Sequence, residues 1–236
     1  MTPKKHEQYS KHFVANLLEP QGDLDIDYQI IPDMLADIYF RPASTAHFFP
    51  LGLLGKIVIR PCLIELFRLP ATHIEVQTSL HKLFTQRNKL LNEAQQNNES
   101  LKEEQLPHLW IIASLISDSS LAFFGAKHKR QWCKGVYLCG DAEGLRTTIV
   151  NINRLPPTPE TLLMRLLGRG KIQRQAIKDV LSLNSDLPLR HHVEELLYNW
   201  HTHLKAQDKL TKDDKYLLMS LSELVKKRQR KMSGGK

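Results

Sequence analysis

The chain has 236 residues, 42% hydrophobic, 25% charged and 7% aromatic, with a net charge of +8. This composition excludes a disordered polymer and suits one good core with an appendage, or two small domains. The cysteines Cys62, Cys133 and Cys139 are odd in number and lack C-x-x-C spacing. They speak against a disulfide framework and a Cys-rich zinc site, so a reducing, cytoplasmic setting is expected. The sequence holds no apolar run of the roughly 18 residues a membrane span needs. Its start, "MTPKKHEQYSKHF", lacks the continuous apolar segment of a signal peptide.

In chain order, residues 6–18 place Tyr9, Phe13 and Leu17 at helical spacing with Val14 alongside, and Pro20 and Gly22 close that helix. "LDIDYQII" (24–31) alternates apolar and polar residues, the period of a half-buried strand. Pro32-Asp33 turns the chain into a second strand, "LADIYF" (35–40), closed by Arg41-Pro42. "LGLLGKIVI" (51–59) carries two glycines and is compatible with a short helix or an irregular approach to the sheet. "CLIELF" (62–67) is short and apolar, a buried strand broken by Pro70. Thr72 and Glu75 form the T-x-x-E pattern of a capping box, and the helix runs on through Val76, Leu80, Leu83, Phe84, Arg87 and Leu90. "LWIIASLI" (109–116) is another buried strand. "SSLAFFGAKHKRQW" (119–132) suggests a short helix and a basic loop, and "GVYLCG" and "RTTIVNIN" suggest two strands joined by a turn at "DAEG".

From Pro156 the pattern changes. "TPETLLMRLLGRG" starts with Thr158 as N-cap and Pro159 at the first helical position, and it stops at Gly168 and Gly170. "KIQRQAIKDVLSL", "PLRHHVEELLYNWHTHL" and "DDKYLLMSLSELVKKRQRK" are three further helices. The expected organisation is therefore an α/β domain over 1–155 and an all-helical region with a basic tail over 156–236.

Charge divides along the same line. Residues 1–125 carry a net −3, and residues 126–236 carry +11. Six acids, Glu19, Asp23, Asp25, Asp27, Asp33 and Asp37, crowd nineteen positions without a Lys or Arg among them. Such like charges repel unless water, a cation or the basic half screens them. The tail "VKKRQRKMSGGK" has six cations in twelve residues. This asymmetry is that of a polyanion-binding chain, and equally that of a solvated helix end.

Two strands bear a central acid, Asp37 in "LADIYF" and Glu65 in "CLIELF". With the order helix, three strands, long helix, strand, this resembles the core of the PD-(D/E)XK nuclease superfamily, a mixed sheet flanked by helices. The chain as a whole is similar to an uncharacterised bacterial, cyanobacterial-type family related to that superfamily. "HFVANLLEP", "ADIYFRP", "LGLLGKIVIRPCLIELFR", "LPHLWIIAS" and "LLGRGKIQRQAIKDVLSL" carry the likeness.

The resemblance implies a restriction-endonuclease-like hydrolase that cuts DNA with Mg²⁺. Phosphodiester hydrolysis uses a divalent ion to polarise the phosphate and to acidify an attacking water. Mg²⁺ takes hard oxygen ligands, typically one or two carboxylates with several waters. Asp37 and Glu65 match the two metal-holding acids. The lysine expected two residues after the second acid falls on Phe67, which can neither hold a water nor stabilise an anion. Lys82, from the following helix, is the candidate displaced cation. Arg68 is one residue off and points to the other face. A second registration takes Glu75 and Gln77 of "IEVQ" as the acid motif, but the capping box gives Glu75 a role already. Packing alone accounts for Glu65 if it pairs with Arg60 or Arg68, and for Asp37 if it faces water. Glu19, a possible third acid, stands before Pro20 and reads first as solvated.

"GRGK" (168–171) is not a P-loop, because no glycine stands at the first position and Ile172 replaces the hydroxyl. The break leaves helix, turn and helix with Lys171, Arg174 and Lys178 on one side, the layout of a nucleic-acid reader. Those three, with Lys226, Lys227 and Arg228 of the tail, are the candidate DNA contacts. His191, His192, His201 and His203 read as surface residues of a helix that buries Val193, Leu196, Leu197 and Trp200. Two functions follow: a Mg²⁺-dependent DNA endonuclease with Asp37, Glu65 and Lys82 as its catalytic set, or a non-catalytic module on the same fold that binds nucleic acid or protein. A homodimer is compatible with either.

Overall fold

A computed structural model describes the backbone over residues 5–140, 145–184, 187–207 and 209–233, and the side chains of these from 8 to 226. The chain divides into two units, Met1–Pro156 and Pro157–Lys236. No helix among the described residues is long and apolar enough to cross a membrane.

The first unit is an α/β structure with a seven-stranded mixed sheet. Its strands are β1 (Gly22–Ile31), β2 (Met34–Pro42), β3 (Cys62–Phe67), β4 (His108–Ala113), β5 (Ala126–His128), β6 (Val136–Cys139) and β7 (Thr147–Asn151). Their order is β1-β2-β3-β4-β7-β6-β5. The centre, β3-β4-β7, is parallel, and the remaining pairs are antiparallel. Central parallel strands are covered on both faces and so read as unbroken apolar runs. "CLIELF" and "HLWIIA" are apolar apart from Glu65 and His108, whereas "TTIVN", with two threonines and an asparagine, is buried throughout without being an apolar run.

Helix α1 (Lys5–Leu18) packs on β1, β2 and β3 with Phe13, Val14, Leu17 and Leu18 buried. Helix α3 (His73–Gln96) packs on β1, β2 and β4. Its Val76 and Leu83 join Leu63, Leu109, Ile111 and Ile149 in one core. Strand alternation leaves Ile38, Phe40, Cys62 and Ile64 for the face that α1 covers. The α3 capping box is complete: Glu75 N–H donates to Thr72 Oγ1 at 3.3 Å, and Thr72 N–H donates to Glu75 Oε2 at 2.7 Å. Glu75 and Gln77 are thus helical, which removes the alternative "IEVQ" strand motif. Residues 53–57 form a five-residue helix, α2 (Leu53–Ile57), and α4 (Asp118–Phe123) precedes β5.

Two expectations for this unit change. Strand β4 stops at Ala113, five residues into the 109–116 run: Ser114 N–H makes the last bond to β3, onto Phe67 O, where β3 itself ends. The basic loop at 126–132 contains the edge strand β5, three residues long. The expected turn "DAEG" (141–144) lies outside the described residues.

The second unit holds α5 (Leu162–Leu166), α6 (Gly170–Val180), α7 (Pro188–Lys205) and α8 (Lys212–Ser233). Thr158 does not cap α5: Pro159–Thr161 is a separate 3-10 turn, and Thr158 supplies no side-chain cap. Gly170 opens α6 with φ +58, a conformation that favours glycine. Arg165, 2% exposed, is held by Asp179 Oδ2 at 2.6 Å, Thr161 Oγ1 at 3.1 Å and Thr158 O at 3.1 Å. Leu197, Trp200, Leu204, Leu217, Leu221 and Leu224 form the apolar seam of α7 and α8.

Candidate functional site

The site grows from an irregularity in β2. The β2–β3 ladder runs Phe40↔Cys62, Tyr39↔Leu63 and Ile38↔Ile64 and stops there. Ala36 and Tyr39 both feed the α3-side core although three positions apart, so the alternation of β2 slips between them. Asp37 sits in that slip, and its Oδ2 accepts the Leu66 N–H at 2.8 Å. A side chain thus replaces a ladder acceptor. Across from it, Glu65 Oε1 lies 3.4 Å from the Asp37 N–H. The two strand acids are therefore neighbours on adjacent strands.

Lys82, on the face of α3 turned to the sheet, donates from Nζ to Glu65 Oε2 at 2.7 Å. This pair is buried: the side chains are 16% and 3% exposed. The sequence offered Arg60 and Arg68 as partners of Glu65; the ion pair seen is with Lys82. The three residues expected as the catalytic set are all in one place.

Sequence reasoning missed two participants. Lys11 of α1 sits 2.7 Å from Asp37 Oδ1 and 2.5 Å from Asp27 Oδ1. Asp27 belongs to β1 and has φ +51, a left-handed conformation unusual inside a strand. A row of charges crosses the sheet, Asp27, Lys11, Asp37, Glu65 and Lys82, on three adjacent strands and two helices, with its two central carboxylates side by side. A signal for Lys11 exists: it shares a helix row with Val14 and Leu18, both fully buried, so a lysine stands in an apolar stripe. A buried cation needs a partner. Glu19 takes no part in the row; it is exposed in the 3-10 turn after α1.

Burial pushes the Glu65 carboxyl up to about 7, the Asp37 charge adds to this, and Lys82 opposes it. Burial works against the charge of Lys11, but Asp37 and Asp27 outweigh it and raise that ammonium above its ordinary value. Near neutrality Glu65 can therefore hold or release a proton while Lys11 stays charged. Among the described residues, no group of three or more His, Cys, Asp or Glu could hold a metal ion.

The other candidate residues are scattered by comparison. Phe67 is half-buried against the α3-side core. Lys171 and Lys178 are exposed on α6, and Arg174 lies with its guanidinium 5.6 Å from the Tyr216 ring centroid. Lys226 is exposed on α8, whereas the side chains of Lys227 and Arg228 lie outside the described residues. His201 is not a surface residue: it is 8% exposed and bonds Ser222 Oγ at 3.0 Å, because its position on α7 faces α8.

What the first unit defines is an α/β protein whose mixed sheet buries a strand-borne acid pair between two lysines. No family model, no curated protein and no solved structure gives a significant match to the chain.

Proposed function

We propose that the first unit is a PD-(D/E)XK-type phosphodiester hydrolase, a Mg²⁺-dependent DNA endonuclease whose lysine has moved from the strand to the helix. One observation carries this reading: Lys82 Nζ reaches Glu65 Oε2 at 2.7 Å beside Asp37, so the cation missing at Phe67 is supplied from α3. Two carboxylates are the small protein ligand set that Mg²⁺ takes, and their oxygens are the hard donors it requires. The fit has one condition. Lys11 must release Asp37 Oδ1, which it holds at 2.7 Å.

Asp37 and Glu65 would hold the ion, which would polarise the phosphate and acidify a bound water. The chain's own groups do the rest. Lys82 stabilises negative charge developing beside it, in a site sheltered enough for that charge to count. Lys11, released from Asp37, offers a second ammonium to the phosphate. The exposed Lys171, Lys178 and Lys226 are suited to phosphate-backbone contacts, which are blind to sequence and sensitive to salt.

A second reading rests on Lys11 itself. With Lys11 on Asp37 and Lys82 on Glu65, each acid already has a counter-ion, and Phe67 offers nothing to a phosphate. On this reading the fold is kept for binding nucleic acid or protein without cutting.

The test is cleavage of supercoiled and single-stranded DNA with Mg²⁺ or Mn²⁺, using the wild type and the Asp37→Ala/Glu65→Ala protein. Metal-dependent cutting that disappears in the double variant and in Lys82→Ala supports the nuclease. Folded wild type that binds DNA at low salt but never cuts it supports the binding module. Cutting that survives loss of both acids refutes the site.

A further inference from the structure

Three arginines meet elsewhere on the first unit, at the entrance of its parallel strands. Arg60 precedes β3, His108 opens β4 and Arg146 precedes β7. Backbone bonds align them: His108 N–H donates to Pro61 O at 2.9 Å, and Leu109 N–H donates to Arg146 O at 2.8 Å. Arg87 comes in from α3. Among the described residues, the carboxylate that answers Arg87 and Arg146 is Glu103. Glu103, in the 3-10 turn before β4, takes Arg87 Nη2 at 2.6 Å and Arg146 Nε at 2.8 Å on the same oxygen, Oε1.

The arrangement is over-supplied with positive charge. The Arg87 and Arg146 side chains are only 13% and 10% exposed, against 47% for Glu103. Arg87 Nη1 is buried without a hydrogen-bond partner among the described residues, which is costly for a charged donor. Arg146 has φ +33, a strained backbone for a side chain of its size. Beside them His108 is half-buried, its ring bonded to Thr148 Oγ1 at 2.9 Å. Burial, and then the charges of Arg146, Arg60 and Arg87, hold its proton affinity down to about 4, so it adds no cation of its own.

We propose that Arg87 and Arg146, with Arg60 at the rim, form a phosphate-binding clamp in which Glu103 is an internal stand-in for the ligand. One carboxylate oxygen now receives two guanidinium groups. A tetrahedral phosphate offers an oxygen to each and another to the orphan Arg87 Nη1, in the fork geometry arginine favours. Glu103 is the exposed, displaceable member, and the arginines are the buried, fixed ones. The clamp stands on residues separate from Asp37, Glu65 and Lys82 and does not depend on their chemistry.

The experiment is a calorimetric titration of inorganic phosphate into the full chain, with Glu103→Gln, Arg87→Gln and Arg146→Lys proteins beside the wild type. Thermal melts establish that each variant is folded. Removing the competing charge in Glu103→Gln is expected to tighten phosphate binding about tenfold, the size of one charge-assisted hydrogen bond. Arg87→Gln should abolish binding, and Arg146→Lys should weaken it although charge is conserved, because the fork is lost. Competition by a 5′-phosphorylated oligonucleotide, but not by its hydroxyl-ended twin, would make the source a nucleic-acid end. Displacement by neither would leave free phosphate as the ligand of the same clamp. Absence of saturable binding in both wild type and Glu103→Gln overturns the proposal, as does binding that survives Arg87→Gln in a folded protein.

Discussion

Glu65→Gln should make the protein more stable at pH 8 than the wild type, not less. Glu65 is 3% exposed, and its carboxyl rises from an ordinary 4.5 to about 7 in the fold. A carboxyl raised on folding holds its proton in the native state at a pH where the unfolded chain has lost it. Stability is then full below 4.5, falls as pH climbs to 7, and stays reduced above. At about 1.4 kcal/mol per pH unit, the loss is about 3 kcal/mol. Glutamine copies the protonated form: neutral, the same shape, and still able to accept from Lys82. The variant should match the wild type near pH 4.5 and exceed it by about 3 kcal/mol at pH 8. For a unit of this size that is about 6–12 °C in Tm. The assay is urea and thermal denaturation of both proteins from pH 4.5 to 8.5, taken as the difference between them. Other titrating groups, His108 included, cancel in that difference. A difference of opposite slope, with the variant losing ground as pH rises, would refute the reasoning. It would mean that the Lys82 ion pair outweighs burial.

Two further outcomes follow from the α3 side of the sheet. Thr72→Ala removes the side-chain half of the capping box, the Oγ1 that accepts the Glu75 N–H, and should cost about 1 kcal/mol, read as a lower urea midpoint with an unchanged slope. Leu83→Ala, at a fully buried position in the central core, should cost about 2–5 kcal/mol, with the higher figure if the cavity fails to close.

What could be read from the sequence was local. The Thr72–Glu75 cap spans four residues and the β3 and β4 strands span six each, so their chemistry is complete within the segment. Asp37 and Glu65 stood out because acids inside apolar strands need a reason. Lys82 was legible as the cation next along a helix facing those strands. Lys11 and Asp27 were not, since their meeting depends on how α1 docks and on a left-handed residue inside β1. The arginine clamp was invisible for a similar reason. Arg60 and Arg146 lie 86 positions apart in the chain and come to one edge through the parallel register of β3, β4 and β7, while Arg87 arrives from α3. Thr158 misled because an N-cap residue before proline also suits a 3-10 turn. His201 misled because helical spacing alone does not say which neighbouring helix covers a face.

Strand β1 is an outer edge of the sheet, ten residues long, with one side of its backbone turned away from β2. An edge that long is a template on which a second chain can add a strand, the first step of aggregation. Here the template is spoiled twice. Asp27 breaks the extended path with φ +51, and the β1–β2 register shifts again between Gln29 and Ile31. Asp23, Asp25 and Asp27 lie close together on it, so antiparallel addition of another copy of this strand would bring carboxylates toward carboxylates. The kink that gives Lys11 its second partner also keeps the edge from zipping to its own kind.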